Sequence, residues 1–456
     1  MAEEVSPDKF WITCYALAAR SLLEVMRTKS YPIQYVLRQE LSDYNDRIQS
    51  VTRSLVYDTL RRYGTLERVV DDIARSRLPP LERALVMIAA NEVLYEGKHP
   101  APVTDCAAKA AKELGLNHRR VHGVVADLEN YEGPEPEDEL DELCLEYHHP
   151  RWFVEKFEPL LGRDELKKLM EVHNQPPEHY TFRVNTAEAD VDEVIEEFEE
   201  HGFEVERGRY VDYCIRIEKG KPLRLEELEC WNKGWIIPQD EAAALVTEVL
   251  DPQPGERIAD LCAAPGGKTT HIAQLTEGDV EILAVDVSRT RLRRLQKFAE
   301  RMGFDDCIEI MRADVRRLGR NPRFVGKFDR VLLDPPCTSL GTLRTDPDVK
   351  WKIGPKEVRE LSAKQKQMIR AAARLVKPGG VLVYSTCTIT PEENELVASE
   401  ALKTERLRAE DVRSEFDFLC PHLEVDGVSP SLEAGRMWPH VHDTSGFFVV
   451  KFRKQR

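Results

Sequence analysis

Nowhere do the 456 residues run apolar for the length needed to cross a bilayer. The opening MAEEVSPDKF has no basic region followed by an apolar run, so it does not read as a secretory signal. No C-x-x-C pair occurs among the ten cysteines, and their scatter suggests neither a zinc site nor a small disulfide framework. A cytosolic (cytoplasmic) chain with free thiols, no metal and no membrane partner is therefore expected. Strand-like alternation is absent before about residue 130, which points to an all-helical first part.

What is present is a soluble globular composition, 42% hydrophobic and 32% charged, long enough for two to four domains with cores of their own. The net charge of −16 argues against coating nucleic acid by bulk electrostatics. Binding a polyanion needs only a local basic surface, and Arg312, Arg316, Arg317, Arg320, Arg323, Lys327 and Arg330 form a candidate. A solvated loop and helix face is the plain alternative for that run. Cys14, Cys106, Cys214, Cys230, Cys307 and Cys420 read by default as small buried side chains.

Trp11, Tyr15, Ala18 and Leu22 recur at helical spacing, as do Leu81, Leu85 and Ile88. Residues 1–131 read as a helical domain, and 132–146, with two prolines among many acids, as a linker that opens a new helix. Residues 147–235 combine a helical lead-in, ended by Pro176-Pro177, with a small α+β module: the strand TFRVN, the helix VDEVIEEFEEHG, then FEVERG and YCIRIE. From 236 to 456, strands such as RIADLC, EILAVD, FDRVLLDPP and GVLVYST alternate with helical stretches, the pattern of a doubly wound α/β sheet. Ligands of such sheets bind at the carboxyl ends of the strands.

After RIADLC the chain turns through Cys262, Ala263, Ala264, Pro265, Gly266, Gly267 and Lys268 into a helix. Two glycines with small neighbours let backbone approach a ligand, and the helix start offers free N–H groups. A phosphate loop would need glycine where Cys262 stands, and the full G-x-G-x-x-G of a dinucleotide site is missing. Asp286, ending the next strand, suits the two hydroxyls of a ribose, and Asp314 suits an adenine amino group, which favours S-adenosylmethionine as cofactor. Each acid has a plain alternative as a helix N-cap.

The next two strands end in Asp334-Pro335-Pro336-Cys337 and Ser385-Thr386-Cys387. Two thiols beside a methyl donor have a chemical use, because carbon 5 of cytosine becomes nucleophilic only when something adds to carbon 6. One cysteine would attack and the other help release, while Asp334 would bond ring nitrogen 3 as charge develops. Methylation of an exocyclic amino group is the rival chemistry, and that loop would end in an aromatic residue instead of Cys337.

Together, DLCAAPGGKTT, LLDPPC and YSTCT resemble the Sun (RsmB-type) family of RNA cytosine-5 methyltransferases. The likeness extends to NQPPEHYTFRVN, to Pro238-Gln239-Asp240 and to SGFFVVKFRK, while RLPPLERALVMIAANEVLY and HPAPVTDCAAKAAKELG are similar to the family's NusB-like domain. RRVHGVVADL departs from it, standing where relatives carry Val-Asn followed by Leu-Arg. The resemblance implies an all-α NusB-like RNA-binding domain, a small RRM-like RNA-binding module and a Rossmann-like seven-strand methyltransferase domain whose last strand, Phe447 to Phe452, is antiparallel. It further implies that Cys387 attacks and Cys337 assists release. Cofactor contacts would come from Cys262 through Lys268, Asp286, Arg291, Asp314 and Asp334, with Lys268 near the reacting groups. Small-subunit ribosomal RNA is the favoured substrate, transfer RNA the runner-up, and the expected state is a monomer. A non-catalytic RNA-binding assembly factor is the contrasting reading.

Overall fold

The computed structural model describes residues 7–28, 33–219 and 223–456. The chain divides into two compact units, Met1–Gln175 with Leu343–Gly354, and Pro176–Thr342 with Pro355–Arg456.

Among its described residues the first unit is helical throughout. In helix Pro7–Arg27 the periodic positions Tyr15, Ala18 and Leu22 are buried, joining Val56, Leu85 and Ile88 in one core. Trp11 departs from that stripe: it stays 45% exposed, with the Lys98 ammonium 4.6 Å above its ring. Pro80 opens helix Pro80–Leu94, where its missing N–H costs nothing. The acidic stretch becomes helix Glu139–Glu146 once Asp138 accepts from the Asp141 amide at 2.8 Å. Helices Arg151–Leu161 and Arg163–His173 bury Phe153, Phe157, Leu166 and Met170, and they group with this unit, not with the sheet module that follows them.

Leu343–Gly354 interrupts the second unit's sequence yet belongs to the first. On its short helix Val349–Lys352, Lys350 is only 1% exposed and donates to the Arg61 carbonyl at 2.9 Å and Asn174 Oδ1 at 2.7 Å. Trp351 Nε1 donates to the Leu60 carbonyl at 2.5 Å. These carbonyls lie in the last turn of helix Asp46–Arg61, where intrahelical partners run out and a cation is favoured. Burial, aided by Arg61 and Arg62, still pushes the Lys350 pKa well below the usual lysine range.

The second unit holds two sheets. The smaller has the order Val205–Arg207, Cys214–Glu218, His179–Val184, Ile236–Pro238, antiparallel throughout, with helix Val191–Glu200 contributing Val194 and Phe198 to its core. Its fourth strand therefore extends past the boundary read at residue 235. The larger sheet runs Ile308–Arg312, Val280–Asp286, Glu256–Leu261, Phe328–Leu333, Val376–Thr386 in parallel. Phe447–Lys454 then pairs antiparallel with Val376–Thr386, and Leu407–Glu410 pairs with Phe447–Lys454. The seven strands expected are thus present, and two short ones on the same side, Gly435–Met437 and Cys420–Pro421, extend the sheet to nine among the described residues. Alternate residues cover both faces: Ala259, Leu283, Val331 and Leu382 pack on one, Ile258, Ile282, Leu332 and Val383 on the other.

Among the expected buried thiols, Cys14, Cys214 and Cys230 are buried, whereas Cys106, Cys307 and Cys420 are only partly so. One ion pair inside this unit is fully enclosed: Arg436 and Glu395, 1% and 0% exposed, meet through two bonds of 2.7 and 2.6 Å. Glu395→Ala would leave a buried guanidinium unpaired and is expected to destabilise the protein by about 3–5 kcal/mol. Thermal unfolding with an unchanged midpoint would contradict this.

Candidate active site

The parallel strands all end at one edge. After Leu261 the backbone enters the left-handed region at Cys262 (φ 67°) and again at Gly266 (φ 115°). A Cβ on Gly266 would lie 3.0 Å from the Leu295 side chain and 3.2 Å from its Cα, so glycine is needed for conformation and for space. Helix Gly267–Leu275 starts with no side-chain cap, which leaves its first N–H groups for a ligand. Ala263 and Ala264 are buried in the turn, and burial raises the Cys262 thiol well above its ordinary range, so it stays protonated.

Beneath the turn, Thr269 Oγ1 donates to Asp260 Oδ2 at 2.6 Å, and burial raises the Asp260 carboxyl to about 7. From the smaller sheet the buried Arg183 donates to the Gly267 carbonyl at 2.7 Å and Thr270 Oγ1 at 3.0 Å, and also bonds Gln239 Oε1. This support was missed in the sequence. Its only trace was the TFRVN and Pro-Gln-Asp segments, whose alternation says which way a side chain points but not what it reaches.

Asp286, 3% exposed, is not the helix cap: Ser288 caps Arg289–Met302, and its own amide donates to Asp286 Oδ1 at 2.8 Å. Arg291 lies 3.5 Å from Asp286 Oδ2 and also donates to the Ala264 carbonyl, joining the acid to the glycine turn. Asp314 behaves differently. It caps Val315–Leu318, and both its oxygens are held by the Arg316 guanidinium at 2.6 to 3.2 Å, which keeps its pKa low. Uncapped N–H groups, a buried acid for ribose hydroxyls and small residues between them fit S-adenosylmethionine.

Four of the expected groups converge. Lys268 Nζ donates to Asp334 Oδ2 at 2.6 Å, and although burial opposes its charge, Asp334 raises its pKa overall. Cys337 and Cys387 face each other with sulfurs 3.2 Å apart. Ser339 Oγ lies 3.6 Å from Cys387 Sγ and 3.9 Å from Cys337 Sγ. The two thiols titrate as a pair with unequal members. The hydrogen bond from Cys337, with help from Ser339 and Lys268, lowers Cys387 against the opposing effect of burial. Cys337 is raised far above the thiol range by its bond to Cys387, by burial and by the nearby Glu393. The arrangement thus favours ionisation at Cys387 over ionisation at Cys337.

Glu393, fully buried, sets this spacing. It accepts from the Thr338 amide at 2.9 Å, Thr338 Oγ1 at 2.6 Å, Thr390 Oγ1 at 2.7 Å and Gln365 Nε2 at 3.0 Å. Thr338 and Thr388, each next to a cysteine, share a further bond of 2.6 Å. Nothing in the local sequence distinguishes Glu393 from Glu392 and Glu395, the other acids of PEENE. The described residues contain no cluster of three His, Cys, Asp or Glu able to hold a metal ion, and no helix long and apolar enough to cross a membrane.

Residues 247–453 match the family described as 16S rRNA methyltransferase RsmB/F, residues 149–224 the RsmF/B-like ferredoxin-like domain, and residues 15–123 the NusB family. A Synechocystis protein named probable ribosomal RNA small subunit methyltransferase B is 33% identical over 413 residues, 88% of this chain and 90% of its own. A Bacillus subtilis protein of the same name is 30% identical over 458 residues, covering 96% of this chain and 98% of its own. The crystal structure of PH0851 aligns with a TM-score of 0.82 at 33% identity, over 96% of this chain and 99% of that one.

Proposed function

Because the chain belongs to the RsmB/F family of 16S rRNA methyltransferases, we propose that it methylates carbon 5 of a cytosine in small-subunit ribosomal RNA, using S-adenosylmethionine and a covalent bond from Cys387. The observation that carries this reading is the pair of sulfurs 3.2 Å apart with unequal proton affinity. A methyltransferase acting on an exocyclic nitrogen has no use for such a pair.

The Cys387 thiolate adds to carbon 6, and the electron pair displaced from the C5–C6 double bond makes carbon 5 nucleophilic. Asp334, bonded to Lys268, faces nitrogen 3 and with it handles the charge that builds on the ring. Bound S-adenosylmethionine supplies the electrophilic methyl group. Cys262, Ala263, Ala264, Pro265, Gly266, Gly267, Asp286 and Arg291 would hold it, with Asp334 and Lys268 at the reacting end; Asp314 would contribute only after releasing Arg316. The carbon 5 proton then leaves to a base, the double bond re-forms and the Cys387–carbon 6 bond breaks, returning the thiolate. Cys337 assists that last step.

Transfer of tritiated methyl to unmodified 16S rRNA, followed by bisulfite mapping of the product, tests the proposal. One protected cytosine in that RNA is expected; label found only in transfer RNA would overturn the substrate, and label on an exocyclic nitrogen the chemistry.

Within the basic run the charges are not equivalent. Arg316 is committed to Asp314, and the buried Arg330 to Glu256 and the Leu250 carbonyl, both at 2.6 Å. Arg317, Arg320, Arg323 and Lys327 are exposed. Charge reversal at Arg317 and Arg320 is expected to weaken RNA binding and to flatten its salt dependence by about 0.7 to 0.9 log units per lost phosphate contact. Unchanged binding at low and high salt would return the run to a solvated face.

A further inference from the structure

Neither the glycine turn nor the cysteine pair accounts for the conformation of Ser339. It is one of few non-glycine residues with positive φ, at 57°, a region that L residues enter only when their surroundings hold them there. The hold is visible on both sides. Upstream, Thr338 is fixed by Glu393 through its amide and its hydroxyl. Downstream, the amide and hydroxyl of Thr342 both donate to the Ser339 carbonyl at 3.0 Å. Gly341 then donates to the Cys387 carbonyl at 3.0 Å, where a Cβ would come within 2.1 Å of the Gly446 carbonyl oxygen. The loop is thereby tied to the strand end that carries Cys387.

The result is a hydroxyl beside both sulfurs, accepting from the Cys387 thiol at 3.6 Å and lying 3.9 Å from Cys337, with no other hydrogen-bond partner among the described residues. We infer that Ser339 is a further catalytic residue: its oxygen accepts from the Cys387 thiol, and once that thiol ionises the hydroxyl turns its own proton to the sulfur, stabilising the thiolate before it attacks. This deepens the reading of Cys387 as nucleophile and rests on it. The chemistry favours a weak donor here. A cation in direct contact would stabilise the thiolate more but lower its nucleophilicity, whereas a neutral hydroxyl at sulfur range raises the thiolate fraction and releases easily as sulfur gives its charge to carbon 6.

The test is Ser339→Gly, because glycine accepts this backbone conformation without strain and removes only the hydroxymethyl group. Alkylation of Cys387 by iodoacetamide is followed against pH by peptide mass, with neither RNA nor cofactor present. Its midpoint is expected to rise by about one pH unit, so that below the wild-type midpoint the rate falls about tenfold and above the variant's midpoint the two coincide. Methyl transfer should show the same pattern, slowed about tenfold at neutral pH and restored under alkaline conditions. An alkylation profile identical to wild type, or a methyl-transfer loss equal at every pH, would overturn the role, the latter marking Ser339 as a shape-keeping residue only. Ser339→Ala should shift the alkylation midpoint in the same direction. Persistent methyl transfer by Cys387→Ala would remove the underlying reading, and does so separately, since the alkylation profile does not depend on catalysis.

Discussion

Replacing Cys387 by alanine is expected to reduce methyl transfer by roughly 10⁴-fold or more while binding of RNA and S-adenosylmethionine persists. The size of the effect follows from the absence of a substitute. Cys337 lies at the same edge, but burial and the neighbouring Glu393 carboxylate oppose its ionisation even after the partner sulfur is gone. Lys268 is held by Asp334 at 2.6 Å and carries a proton, so it offers no lone pair to carbon 6. Binding should survive because Cys387 belongs to neither the glycine turn nor the exposed arginines. Tritium transfer measured beside equilibrium binding of each ligand checks both halves. Full transfer by the variant would sink covalent catalysis through this residue.

Cys337→Ala has the opposite signature, a stalled enzyme joined to its RNA. Cys387 would lose the donor that lowers its pKa, so attack slows, but release loses the group that assists it and slows more, by roughly 10²–10⁴-fold. A covalent protein–RNA species should therefore accumulate and appear as a shifted band on a denaturing gel, carrying methyl label when the cofactor is labelled. The same experiment on the double variant Cys337→Ala with Cys387→Ala should show no band. Normal turnover by Cys337→Ala without any adduct would count against its part in release.

The features legible in the sequence were those with a local cause. Gly266 marks a turn because no other residue fits, and a thiol placed straight after an alternating apolar run sits at a strand end. The structure brings Lys268, Asp334, Cys337 and Cys387 together for that reason. What escaped depends on partners far along the chain. Arg183 supports the glycine turn from 84 residues away, and Glu393 reaches Thr338 across 55. Arg330 looked like one more surface cation, and only the pairing of its strand with Glu256–Leu261 explains its burial. Strands as short as Cys420–Pro421 and Gly435–Met437 contain no alternation to detect. Leu343–Gly354 escaped too, since a lysine and a tryptophan on a single helical turn do not announce that they will be enclosed elsewhere.

That last segment bears on how the protein can be dissected. A gene cut after Gln175 would appear to release the helical unit cleanly, since the next residues begin a new sheet. The cut would instead separate each fragment from part of itself. The N-terminal piece would keep Leu60 and Arg61 but lose the indole and ammonium that answer their carbonyls, and the C-terminal piece would carry Trp351 and a lysine buried in the intact chain into water. Because Gly64 leaves only room enough for that tryptophan, with a Cβ there falling 2.3 Å from its ring, the first fragment would expose a slot shaped for a residue it no longer encodes. Separate expression is therefore expected to yield an N-terminal fragment of lowered solubility, and adding a peptide spanning 343–354 should restore it.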